Sequence, residues 1–226
     1  NEYVETGKLL GYKQLALTDD GVLHGAVEFY ERCIQNGIQP ILGCTFEISW
    51  KSDASRKEML VVYAKGAKGY ESLLKLSTLY QQGITWTTEM TEWISTHSED
   101  VKIVLPPMDS EWVAAHSKGK LESVLRAVKE EFPGVEIAVG ITREMVERGE
   151  FDTMREGIEA AGVVPVAFSV SRYLNTTDYF SWKVLQAIRL GETLSFTQED
   201  ATGSESLPEA TSMTKVFQAA VGGVLL

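Results

Sequence analysis

The stretch from Lys13 to Ile48 constrains this chain most, because it reads as strand, acidic turn, helix, strand. Gln14-Leu15-Ala16-Leu17 is a short apolar run that ends at Thr18-Asp19-Asp20-Gly21. Val22 to Gly37 carries helical spacing, with Val27, Tyr30 and Ile34 on one side and Ala26 and Cys33 beside them. Gly37 stops the helix, since glycine takes a positive φ without steric cost. Ile38 to Ile48 is a second apolar run. Two strands joined by a helix make a parallel βαβ unit with a right-handed crossover. Chemistry in such units sits in the loops after the C-terminal strand ends. The first such end here is Thr18-Asp19-Asp20-Gly21.

The phrase helix, glycine, apolar strand recurs. Leu9-Leu10-Gly11 leads into Gln14 to Leu17, and Asn36-Gly37 into Pro40 to Ile48. Phe132-Pro133-Gly134 leads into Val135 to Val139, and Ala160-Ala161-Gly162 into Val163 to Val170. Repeated units of this kind predict a parallel α/β protein, either a barrel or a doubly wound sheet. Met59 to Ala64 and Lys102 to Leu105 are further strands. Gly69 to Gln82, Leu121 to Phe132, Glu144 to Ala161 (broken near Gly149) and Asp178 to Leu190 read as helices, the last capped by Thr177 or Asp178. Thr91 to Ser95 is ambiguous. Glu192 to Met213 is polar and aperiodic, as a loop or linker is, and Val216 to Leu226 is apolar without a clear period.

Of the 226 residues 44% are hydrophobic, enough to fill a core, and the net charge is −11. So acidic a surface repels phosphate backbones, so no direct nucleic-acid binding is expected. Two cysteines, Cys33 on a helix face and Cys44 at a strand end, make no disulfide framework and point to a reducing, cytoplasmic compartment. No apolar run is long enough to span a membrane. The chain opens without Met, in the helix-like Glu2-Tyr3-Val4, which predicts that something precedes residue 1.

Asp19 and Asp20 at a strand end can hold a hard cation or cap the following helix. His24 lies one turn into that helix, His97 in a loop and His116 on a short polar helix. None follows a predicted strand, so each reads as solvated or locally bonded. No phosphate loop or nucleophile elbow occurs. Cys44 reads as a buried structural thiol. Arg172, after the strand Val163 to Val170, either pairs with Asp19 and Asp20 at the same end or lies on the surface.

From Ala16-Leu17-Thr18-Asp19-Asp20-Gly21 through Gly25-Ala26-Val27-Glu28-Phe29-Tyr30, the chain resembles the polymerase-and-histidinol-phosphatase (PHP) domain. It is most similar to the PHP domains at the N-terminus of bacterial DNA polymerase III alpha subunits. Gly37-Ile38-Gln39-Pro40-Ile41-Leu42-Gly43-Cys44-Thr45, Gly69 to Leu76, and Arg172-Tyr173-Leu174-Asn175 with the helix to Leu194 extend the match.

The resemblance implies a distorted (β/α)7 TIM-like barrel over residues 1–195. Residues 196–226 would be its polar end or a linker to the polymerase core. In active members it implies a His, Asp and Glu cluster at one mouth that binds two or three metals and hydrolyses phosphoesters. Here Asp20 stands for the family's His, Thr45 for its Glu, and Val170 and Arg172 for its Asp-x-His. The family's first His-x-His would fall before residue 1. Valine ligates nothing and arginine repels a cation. A degenerate site with no cofactor is therefore expected, at most one weakly held divalent cation at Asp20, and no catalytic residue. The resemblance implies a structural and interaction module within a DNA-directed DNA polymerase. Its partners would be the polymerase core of the same chain and replicase subunits such as a proofreading exonuclease. The alternative is a metal-dependent phosphoesterase or proofreading exonuclease with a reduced metal site. A stand-alone phosphatase is disfavoured by the polymerase-type helix.

Overall fold

The computed structural model describes residues 2–50, 53–83, 88–108, 110–191, 193 and 206–221. Within them the chain runs α1 (Glu2–Leu9), β1 (Gln14–Leu17), α2 (Ala26–Gln35), β2 (Gln39–Trp50), β3 (Asp53–Ala64), α3 (Gly66–Gln81) and α4 (Thr88–Thr96). It continues through β4 (Val101–Leu105), α5 (Glu111–His116), α6 (Leu121–Glu131), β5 (Glu136–Ile141), α7 (Arg143–Glu147), α8 (Glu150–Ala160) and β6 (Val164–Ala167). It closes with α9 (Tyr179–Leu190) and α10 (Ala210–Val221).

The described strands form one curled sheet in the order β1-β2-β3-β4-β5-β6. The expected βαβ unit is present: β1 and β2 are parallel, with Leu15 opposite Pro40 and Leu17 opposite Leu42. β4, β5 and β6 are also parallel. The expectation of an all-parallel sheet is corrected in the middle, where β3 runs antiparallel to both β2 and β4. β2 ends at Trp50 and β3 begins at Asp53, and a connection that short permits only antiparallel pairing. The strand expected at Met59 to Ala64 is the second half of β3.

Alternation along the strands sorts their side chains onto two faces. Cys44, Phe46, Ile48, Leu60, Val62, Ile103, Leu105, Ile137 and Val139 point to the helices, against Leu73, Leu76, Ile94, Trp112, Leu125 and Phe151. The opposite face gathers Val61, Val104, Ala138, Val166 and Phe168, with Tyr63 and Val170 packed on them. Both faces of the central strands are therefore apolar, as in a barrel whose interior is filled by side chains. A third cluster of Val4, Leu15, Phe29, Cys33 and Ile38 seats α1 and α2 on β1. The segment after Ser206 spans the two ends of the sheet. α10 packs on α7 and β6, while Tyr12 donates to the Pro208 carbonyl at 2.9 Å and Ala210 N–H to the Leu10 carbonyl at 3.2 Å.

Several helices differ from their sequence reading. α2 begins at Ala26 after a turn, so His24 precedes the helix and Gly25 holds the N-cap position without a side-chain cap. Its buried side chains are Ala26, Phe29 and Cys33, whereas Val27, Tyr30 and Ile34 are exposed. The two stripes are adjacent on the helix, and spacing alone does not say which one meets the sheet. Asp178, one of the two residues expected to cap α9, holds its N-cap position without a side-chain bond; the short 3-10 turn Thr176–Asp178 before it carries a capping box between Asn175 and Asp178. Thr91 to Ser95 lies in α4, and Ala210 to Met213, expected as loop, opens α10. The remainder of that expected loop falls mostly outside the described residues.

Two packing points are sharply defined. A Cβ on Gly69 would fall against the Asp100 carbonyl oxygen and 2.9 Å from the Ala64 Cα, backbone on both sides. Glu58, on β3, is 2% exposed and accepts from the Glu111 N–H at 2.8 Å, at the start of α5. Burial is the largest influence on its carboxyl and pushes the pKa up from 4.5 to about 7. The Glu111 amide bond opposes that rise, the Glu111 charge adds to it, and the Met59 and Trp112 amides oppose it further.

Gly69→Ala is expected to cost about 3 kcal/mol, because neither backbone segment can give way; the urea midpoint at constant m-value measures it. Glu58 holds its proton more tightly folded than unfolded. Its contribution to stability is full below its ordinary pKa of 4.5 and is lost as pH rises through about 7. Glu58→Gln should flatten that part of the pH profile, removing a difference of roughly 3 kcal/mol between its two ends, as urea titrations across the window would show.

Candidate functional site

The parallel pairing of β1 and β2 continues beyond the strand that carries Leu17. Asp20 and Thr45 form a parallel bridge, Thr45 N–H donates to the Asp19 carbonyl at 3.0 Å, and Gly21 N–H donates to the Thr45 carbonyl at 2.8 Å. Leu15 and Leu17 face α2, and Cys44 and Phe46 face the helices. Alternation then sends Thr18, Asp20, Gly43 and Thr45 to the inner face. Close approach there confirms the placement: a Cβ on Gly43 would lie 2.9 Å from the Tyr63 ring and 3.0 Å from Thr18 Cγ2. Two of the residues singled out in the sequence, Asp20 and Thr45, are thus neighbours at one mouth of the sheet.

The loop that carries the acids is held by protein groups. Ser77 Oγ and Gln81 Nε2 both donate to the Gly21 carbonyl, at 2.8 and 3.1 Å. Gly21 has φ +67°, and a side chain there would strike the Tyr80 ring. The Cys44 thiol lies 3.4 Å from the Asp19 carbonyl and 3.7 Å from that of Val22. Burial, chiefly, pushes its pKa up to about 12. Cys44 lies within β2 rather than at its end, and it is a protonated structural thiol. Neither aspartate caps α2. Asp19 is exposed as a residue, yet partial burial of its carboxyl raises its pKa above the ordinary value; the charge of Asp20 adds to this and His24 acts against it. Asp20 and His24 therefore both lie near the Asp19 carboxyl.

On the other side of the mouth, the chain leaving β6 turns inward. Phe168 lies against Gly140 of β5, where a Cβ would sit 2.7 Å from the ring. Val170 packs on the same inner cluster. Arg172 is exposed, with its guanidinium 5.9 Å from the centre of the Trp182 ring. That ring belongs to an aromatic group with Tyr173 and Tyr179.

These donors do not fit a multinuclear metal centre. Thr45 Oγ1 already donates to the Thr18 carbonyl at 2.9 Å, Val170 has no donor atom, and Arg172 brings a positive charge. Among the described residues no three His, Cys, Asp or Glu side chains converge as a cation requires. His97 stacks on Trp93 at 4.2 Å with Nδ1 2.8 Å from the Trp93 carbonyl, and His116 Nε2 is 3.0 Å from Thr153 Oγ1. Both are locally bonded, as their sequence setting suggests.

Sequence reasoning missed the inner plug of Val61, Tyr63, Val104, Ala138, Val166 and Phe168. Its one signal was the apolar runs Ile103-Val104-Leu105 in β4 and Ile137-Ala138-Val139 in β5, which do not alternate with polar residues. It also missed Glu58, because a single acid in a strand gives no sign of which helix end will cover it.

Residues 1–151 match the sequence profile of the PHP domain, a span that takes in β1 to β5. The chain is 30% identical to the DNA polymerase III subunit alpha of Halalkalibacterium halodurans, a match over 96% of this chain and 19% of that protein. It is 28% identical to the DNA polymerase III subunit alpha of Bacillus subtilis, over 92% of this chain and 18% of that protein. It therefore spans about a fifth of the length of the curated relatives it matches. A solved amidohydrolase from Chromobacterium violaceum overlaps 74% of this chain and 79% of that one at 11% identity and a TM-score of 0.49, too distant to add to the assignment. No helix among the described residues is long and apolar enough to cross a membrane. With its profile match, its parallel β1–β2 unit and its acid-bearing turn at the strand end, the chain belongs to the PHP domain family.

Proposed function

We propose that this PHP domain serves a replicative DNA polymerase III alpha subunit as scaffold and not as a hydrolase. The observation that carries this reading is the state of the mouth. Val170 joins the apolar interior where a ligand would stand, and Thr45 spends its hydroxyl on the Thr18 carbonyl. No cofactor is needed; Asp20 alone can keep one weak divalent cation. A seventh strand from elsewhere in the longer polypeptide, set between β1 and β6, would complete a (β/α)7 barrel. Nucleotide transfer to DNA would be carried by acids outside this segment, in the cytoplasm. The domain would face the polymerase core of its own chain and replicase subunits such as a proofreading exonuclease. Its net charge of −11 keeps it off the DNA backbone.

A second reading, a reduced-site phosphoesterase or exonuclease, draws on the nearness of Asp20 and His24 to the Asp19 carboxyl. The two readings part on metal content. The full-length subunit purified without chelator should hold zinc, manganese and iron far below one ion per chain and should not hydrolyse p-nitrophenyl phosphate. Stoichiometric metal with turnover would establish the second reading instead. Val170→Asp should destabilise the fold by about 1 to 3 kcal/mol, since a carboxyl would enter an apolar cluster without a partner. Undiminished thermal stability together with new manganese binding would contradict that outcome.

A further inference from the structure

Glu58 is an acid on β3, buried beneath the first turn of α5. Its two oxygens are not alike. Oε2 accepts from the Glu111 N–H at 2.8 Å. Oε1 is shut away from solvent and has no hydrogen-bond partner among the described residues. A carboxylate spreads its charge over both oxygens, so part of that charge would lie buried without a full bond. A neutral carboxyl avoids this cost. The turn above it is held by groups of its own: Ser110 Oγ accepts from the Val113 N–H at 3.4 Å and donates to the Pro107 carbonyl at 3.1 Å. Trp112 is fully buried, with its indole N–H donating to the Pro106 carbonyl at 3.1 Å.

The charges around Glu58 do not favour its ionisation. α5 brings Glu111, an acid like itself. His116, at the far end of α5, is bonded to Thr153 of α8. β2 sets the apolar Ile48 opposite Glu58. Lys57, next to it on β3, alternates to the other face of the hairpin and pairs there with Glu47 at 2.6 Å. No cation among the described residues acts on the carboxyl. Burial, with the Glu111 charge behind it, outweighs the Glu111, Met59 and Trp112 amides and pushes its pKa up to about 7.

The contact lies where the sheet is open. β4 pairs with β3 from Val61 to Ala64, so Asp53 to Leu60 have β2 on one side and no described strand on the other. Such an edge offers amides and carbonyls to another strand unless something covers it. At Glu58 the cover is the first turn of α5. Opening that turn breaks neither ladder, so it costs less than unfolding the sheet.

We propose that Glu58 is a proton-held pin: when neutral it seats the first turn of α5 on β3, and on losing its proton it releases that turn and bares the strand edge beneath. The seat is at full strength below the ordinary pKa of 4.5, where the carboxyl is protonated with the turn shut or open, and it weakens as pH rises through about 7. The pin is independent of what the mouth of the sheet binds.

Hydrogen exchange of the full-length subunit, read by mass spectrometry on peptides covering Glu58 to Leu60 and Ser110 to Val113, tests it. Protection is compared at about pH 5.5 and about pH 8.5, after correction for the faster chemical exchange of free amides in base. Both peptides should lose protection at least tenfold between the two pH values, the fall that a pKa raised from 4.5 to about 7 produces. Peptides from α6 and β5 should keep theirs. Glu58→Gln, which has no proton to lose, should hold protection constant at both peptides. Unchanged protection in the wild-type subunit would overturn the pin, with no variant needed. So would the same fall in Glu58→Gln, or a fall shared equally by α6 and β5, which means that the whole domain opens.

Discussion

The parallel ladder between β1 and β2 is the contact on which the rest of the structure depends. It starts at Gln14 opposite Gln39 and persists to the bridge of Asp20 with Thr45, beyond the last residue of β1. Because the side-chain period of a strand is two, this register decides which residues face inward. A slip by one would send Cys44 and Phe46 into the interior and present Thr45 to the helices. The Gly21 carbonyl, bonded by both Ser77 and Gln81, fixes the end of the ladder to α3. The acid-bearing turn is thus tied to α3 through protein bonds.

The interior completes the picture. A PHP-type mouth can be polar only if the strands below it leave room and lone pairs. Here Phe168 rests on Gly140, Tyr63 rests over Gly43, and Val170 joins them. Burial raises the Tyr63 hydroxyl well above its usual range, so it stays neutral. Charged ligands brought into such surroundings would have to recover the loss of their hydration from one another. The residues at the mouth offer no set able to do so. Val170, which cannot ligate, is also a side chain that packs in this interior.

The first βαβ unit, the glycine-ended helices and the acid turn were legible in the sequence because each has a local cause. A glycine must supply positive φ at Gly37, and an apolar run flanked by polar turns must form a strand. The resemblance over Leu17 to Thr45 then located Asp20 and Thr45, and that at Arg172-Tyr173-Leu174-Asn175 located Val170 and Arg172. What was not legible depends on contacts distant in sequence. The antiparallel β3 follows from a short connection whose residues carry no hairpin signature. The buried stripe of α2 is Ala26-Phe29-Cys33, and the neighbouring Val27-Tyr30-Ile34 is equally periodic. Glu58 became a buried, proton-holding carboxyl only because α5 lands on it.

Diffraction from crystals of the chain soaked in manganese, recorded at an energy where manganese scatters anomalously, examines the mouth directly. Anomalous density should be absent between Asp20, Thr45 and Val170, or limited to one weak peak at Asp20. Two strong peaks about 3.5 to 4 Å apart, the separation of paired catalytic ions, with Arg172 turned away from them, would contradict it.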